Sequence, residues 1–165
     1  MSYIDTSIIV AALDPIDYRS RSALKILEEE RRKIISELTL LELASVLSRR
    51  RELVSDLAGK LGLDIEITIY AILLYLMKRF NLRHRGFESL MKIMPLGKVY
   101  NPLATAIELS PKLRLKTLDL LHIAYVKLLK DEGEPIHKLI TADTDFEEAR
   151  EYLEETAGVH LYILK

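Results

Sequence analysis

The chain has 165 residues, 49 % of them hydrophobic and 30 % charged, and a formal net charge of −1. That balance suits one folded core and excludes a disordered chain, while the near-zero charge leaves no global basic field, so nucleic acid could be held only by local patches. There is no cysteine, which excludes disulfides and thiolate metal sites.

Tyr3-Ile4 begins a first strand with room to run on toward Ile8. Ser20 to Arg31 carries Ala23, Leu24 and Leu27 on one face and Glu28 to Glu30 outside, the pattern of an amphipathic helix. Lys33-Ile34-Ile35 is a short second strand. Leu40 to Arg50 is a helix with Leu40, Leu43, Ala44 and Leu47 aligned, and Glu52 to Leu61 and Ile65 to Phe80 are two more, separated by Gly62. Ile65 to Met77 is the most apolar stretch, but Glu66 opens it and Lys78-Arg79 close it, and it is too short to span a bilayer comfortably. With no basic, apolar leader at Met1, the expected location is the cytoplasm.

Met91 to Leu96 reads as a third strand interrupted by Pro95, and Leu103 to Leu109 as a helix between Pro102 and Pro111. Leu118 to Leu129 is apolar nearly all round, so it should be a buried helix. Lys138 to Thr141 is a fourth strand, Phe146 to Glu154 a helix, and Val159 to Leu164 a final strand. Alternation of short strands with longer helices predicts an α/β fold over residues 1–165 as a single domain. It would be a three-layer α/β/α arrangement with a central, mainly parallel five-stranded sheet and a helical insertion.

Ligands of open parallel sheets bind at the carboxyl ends of the strands. Asp5 ends the first strand, Glu42 lies early in the helix after the second, Asp119 opens the buried helix and Asp143 follows the fourth strand. Each has a local explanation as well. Thr39 and Glu42 match a capping box. Thr117 suits a helix cap with Asp119 in the favoured first turn. Asp143 and Asp145 suit a cap for the next helix, and Asp5 an Asx turn with Thr6 and Ser7. Against four coincidences stands Asp119, set among Leu118, Leu120, Leu121 and Ile123, where a carboxylate needs a cation or donors. Acids that converge without a cation also raise one another's pKa. We therefore expect the four to gather into one site for a divalent metal, with Mg²⁺ or Mn²⁺ matching an oxygen ligand set. His122, three residues after Asp119, is read first as structural, with pairing to Asp119 or a zinc site as alternatives.

These segments resemble the motifs of PIN-domain nucleases, in order and over nearly the whole chain. Tyr3-Ile4-Asp5-Thr6-Ser7 is similar to that family's opening motif, and Ser36 to Leu43 to its second, with Ser, Thr and Glu. Leu115 to Ala124 is similar to the third, Asp-containing helix start, and Leu139 to Phe146 to its Thr-x-Asp-x-x-Phe motif. The short form resembles VapC-type toxins of prokaryotic toxin–antitoxin pairs. The resemblance implies a PIN-like fold and a Mg²⁺- or Mn²⁺-dependent endoribonuclease with Asp5, Glu42, Asp119 and Asp143 as catalytic, metal-holding carboxylates. Thr6, Thr141 and Asp145 would be supporting groups, and a homodimer and a small antitoxin protein the expected partners. The helical segment from Glu52 to Leu90 matches no motif.

The RNA would meet phosphate contacts among Arg49-Arg50-Arg51, Lys78-Arg79 with Arg83 and Arg85, or Lys112, Arg114 and Lys116, the last favoured because it leads into Asp119. The rival readings are an aspartyl phosphatase, disfavoured because Ser7 stands where a second Asp is needed, a PIN-domain nuclease of RNA processing, and a non-catalytic PIN-like interaction module.

Overall fold

The computed structural model describes residues 1–87 and 90–165. In chain order it runs β1 (Ser2–Ile4), α1 (Thr6–Leu13), α2 (Ser20–Glu29), β2 (Lys33–Ile35), α3 (Glu37–Arg49), α4 (Arg51–Leu61), α5 (Ile65–Arg79) and β3 (Leu82–His84). Then come β4 (Met91–Met94), β5 (Gly97–Tyr100), α6 (Asn101–Leu109), α7 (Thr117–Asp131), β6 (Lys138–Thr141), a 3-10 turn (Thr144–Ala149), a π turn (Tyr152–Thr156) and β7 (His160–Ile163).

Five strands form one parallel sheet in the order β3-β2-β1-β6-β7. Successive residues of a strand face opposite sides of a sheet. Tyr3, Ile34 and Leu139 accordingly join the core under α6 and α7, whereas Ile4, Ile35 and Ile140 join the core under α1, α2 and α5. That two-sided burial explains why the strands read as unbroken apolar runs, and it yields the expected three-layer α/β/α architecture.

The sheet's membership differs from expectation. Met91 to Leu96 is not the third strand of the central sheet: β4 pairs antiparallel with β5 in a separate hairpin, turning at Pro95-Leu96 with Gly97 at φ +106°. Its place is taken by β3, a strand absent from the sequence reading. The backbone of Asn81 is left-handed at φ +50°, which ends α5 and sends the chain straight into β3. The first strand does not run on to Ile8, because Asp5 caps α1, its side chain accepting from the Thr6 N–H. The helix expected over Phe146 to Glu154 divides into the 3-10 and π turns. The unmatched segment from Glu52 to Leu90 contains α4, α5 and β3, with positions 88 and 89 outside the described residues. Among the described residues no helix is long and apolar enough to cross a membrane.

Candidate metal centre

β1 is the middle strand, so Asp5 emerges at the centre of the sheet's carboxyl edge, its N–H donating to the Ile140 carbonyl at 3.0 Å. One oxygen of its carboxylate, Oδ1, accepts from the Thr6 N–H at 2.8 Å. The other, Oδ2, accepts from the Thr141 hydroxyl at 2.7 Å and from the Ser7 hydroxyl. Ser7 in turn accepts from the Ala142 N–H at 2.8 Å, which clamps β1 to the end of β6. Glu42 points into the same place from α3. The capping box between Thr39 and Glu42 does not form: Ser36 is the cap, accepting from the Thr39 N–H at 3.2 Å. Glu42 is thereby left to accept from the Thr6 hydroxyl.

His122 joins these two acids. Its Nε2 lies 3.1 Å from Asp5 Oδ1 and 3.0 Å from Glu42 Oε2, rather than against Asp119. Its Nδ1 lies 2.7 Å from the Tyr3 hydroxyl, which donates onward to Ser36 Oγ at 2.8 Å. Nε2 faces two carboxylate acceptors and donates to them, while Nδ1 shares a hydrogen bond with the Tyr3 hydroxyl. Burial alone would push its pKa down, but the Glu42 hydrogen bond and the charges of Asp5, Glu42 and Asp119 outweigh that and raise it. Of the readings of His122 from sequence, pairing with Asp119 is the one the structure replaces, since Nε2 lies against Asp5 and Glu42 instead.

Across the same cavity stand Asp119 and Asp143, with Asp145 beside them. Asp119, Asp143 and Asp145 each offer an oxygen within 4.8 Å of the others, and in the first group two carboxylate oxygens of Asp5 and Glu42 and a ring nitrogen of His122 lie as close. The structure therefore brings all four predicted carboxylates to one cavity of about 570 Å³, in two subgroups. Asp143 caps the 3-10 turn through the Asp145 N–H at 2.9 Å. Asp145 is drawn outward by the Lys116 ammonium. Lys112 and Arg114 are exposed on the segment between α6 and α7. Arg49, two turns beyond Glu42 on α3, lines the cavity itself, and its guanidinium donates to Ser45 Oγ at 3.1 Å.

The cavity's electrostatics suit a cation. Asp119 Oδ2 is buried and has no hydrogen-bond partner among the described residues, a costly condition for a carboxylate. Burial, together with the charges of Asp143 and Asp5, pushes the Asp119 pKa up to about 6. Such a site stores repulsion that a hard divalent cation would relieve, and its donors, mostly carboxylate oxygens, are those Mg²⁺ and Mn²⁺ prefer.

The family model described as PIN domain matches residues 2–152. Among solved structures, the chain is similar to a chain of VapBC2 from Rickettsia felis bound to a DNA fragment from its promoter, with TM-score 0.56 and 16 % identity over 100 % of both chains. It is similar also to Mycobacterium tuberculosis VapC20, a toxin that cleaves the sarcin–ricin loop, with TM-score 0.55 and 18 % identity over 90 % of this chain and 95 % of that one. No curated protein matches. At such identities the structural likeness is one of fold.

Proposed function

The chain belongs to the PIN-domain family, and from that footing we propose that it is a Mg²⁺- or Mn²⁺-dependent endoribonuclease hydrolysing RNA phosphodiester bonds, the toxin of a toxin–antitoxin pair. The observation that carries the reading is Asp119 Oδ2, a buried carboxylate oxygen without a donor among the described residues, in a cavity shared with Asp5, Glu42 and Asp143. Those four would hold the ion. When bound, it supplies Lewis-acid activation of water and charge balance at phosphorus.

The chain's own residues do the positioning. Thr6, Ser7 and Thr141 fix the Asp5 and Glu42 carboxylates by donating to them. His122 Nε2 donates to both acids and lets the buried Asp5 and the half-buried Glu42 lie together. Arg49 at the cavity wall offers a planar fork for a phosphate, with Lys112, Arg114 and Lys116 as further contacts along the strand. The fold likeness to the VapBC2 chain and to VapC20 supports the toxin role. The exposed apolar side chains of α5, Leu74 at 66 % and Tyr75 at 63 %, support a protein partner, either a second copy of the chain or an antitoxin.

Incubation of the protein with RNA and Mg²⁺ or Mn²⁺ tests the proposal. Wild type should cut and Asp5→Asn and Asp119→Asn should not; variants cutting at the wild-type rate would sink it.

A further inference from the structure

A second pocket, of about 350 Å³, lies on the other side of the ridge made by Leu38 and Leu41, which line both it and the acidic cavity. Its polar groups come from Glu37, Tyr100 and Tyr125. The Tyr100 hydroxyl and the Tyr125 hydroxyl, the latter at 3.0 Å, both donate to Glu37 Oε2. Tyr125 is itself held against Phe87, ring centroids 5.3 Å apart. Two donors fill the lone pairs of Oε2. Oε1 receives no hydrogen bond from the described residues, and His84 Nε2 lies 3.9 Å from it, beyond hydrogen-bonding range. The pocket thus offers apolar walls, two tyrosine rings and the anchored Glu37 carboxylate, whose Oε1 keeps open acceptor capacity at the pocket's edge toward His84. Few polar groups in an apolar recess is the usual make-up of a small-ligand site.

Resting on the nuclease reading above, we propose that this pocket is a nucleobase subsite that selects guanine beside the cut. Single-stranded RNA is read by proteins through splayed bases, stacked on aromatic rings and bonded along their Watson–Crick edges. A carboxylate accepts and cannot donate. Among the four RNA bases only guanine presents two adjacent donors on that edge, N1–H and the 2-amino group, so it matches Oε1 best. Glu37 and Glu42 are five residues apart on α3, about 7.5 Å of rise. That places the pocket within reach of a nucleotide adjoining a phosphate held at the acidic cavity.

The test is binding of labelled hexauridylates carrying one central guanosine, inosine or adenosine to the full chain, in EDTA so that nothing is cut. Wild type should favour guanosine at least about fivefold over inosine, which lacks the 2-amino group. Glu37→Gln should level the series. Tyr100→Phe, which keeps the ring and removes one anchor of Glu37, should reduce the preference, and it carries the test if Glu37→Gln does not fold. Equal affinities in wild type, or a guanosine preference undiminished in both variants, would overturn the subsite. A parallel digestion with Mn²⁺ separates the two readings: cutting without guanosine preference in binding defeats the subsite alone, and preference without cutting defeats the nuclease alone.

Discussion

His122 Nε2 stands 3.1 Å from Asp5 Oδ1, with both side chains almost wholly buried. Each group stabilises the other there, since loss of a partner from a buried polar pair costs free energy. His122→Ala should therefore lower the unfolding free energy by about 3 kcal/mol in EDTA. Asp5→Asn should cost less when His122 is already gone, with a coupling of at least about 1 kcal/mol across the cycle. Chemical denaturation of the two single variants and the double variant measures this; strict additivity would contradict the pairing.

Asp119 gives the opposite sign. Its folded pKa, about 6, is raised above the ordinary 3.8, so the group favours the fold fully below pH ~4 and loses that contribution as pH rises through ~6. Asp119→Asn does not titrate. Without metal, the variant should gain on wild type across that interval and be more stable by about 1 kcal/mol at neutral pH, a figure discounted for partial exposure. Added Mn²⁺ should reverse the ranking, because only wild type keeps the full ligand set. Melting temperatures in EDTA and in Mn²⁺ between pH 4 and 8 decide it.

Arg49 lines the cavity, while Arg114 lies on the exposed segment leading to α7. Charge reversal at Arg49 should weaken RNA binding about tenfold and reduce the salt slope by roughly one. Reversal at Arg114 should have a smaller effect of the same kind. Salt-dependent binding curves for Arg49→Glu and Arg114→Glu would show a reversed order if the favoured path of the RNA is the basic segment instead.

Glu30 sits at the opposite edge of the sheet, accepting from Ser2 Oγ and Lys138 Nζ, each at 2.7 Å. Burial works to raise its pKa, but the Lys138 and Ser2 hydrogen bonds prevail and hold it below the usual 4.5. Its contribution is then present above that value and lost as pH falls through the lowered folded pKa. Glu30→Gln should cost about 1–2 kcal/mol at pH 7, and the gap from wild type should close on strong acidification. A constant gap down to pH 2 would count against this account.

The fold was legible wherever one residue type dominated a layer. Tyr3-Ile4, Lys33-Ile34-Ile35 and Lys138 to Thr141 are buried on both faces, so their apolar runs announced them. β3 was not legible because His84 and Arg83 are exposed at the sheet edge, where little burial disciplines the pattern. Met91 to Leu96 has the composition of a strand and is one, but composition cannot say which sheet a strand joins. At the site, the positions of Asp5, Glu42, Asp119 and Asp143 relative to strand ends and helix starts placed them on one edge. What the chain pattern could not reveal was how they divide: Tyr3, Ser36 and His122 are far apart in sequence, and only their packing makes the imidazole ring the partner of Asp5 and Glu42. The same holds for Arg49, which reads as one of three surface arginines until α3 is set beside the cavity.

The bond from Thr141 to Asp5 joins residues 136 positions apart. Contacts of such span form late and slowly. During synthesis Asp5 is made 136 residues before its anchoring threonine, and Asp143 follows later still. A nascent chain that stops short of Thr141 and Asp143 holds no assembled centre, so whatever activity the centre has is withheld until that segment is translated.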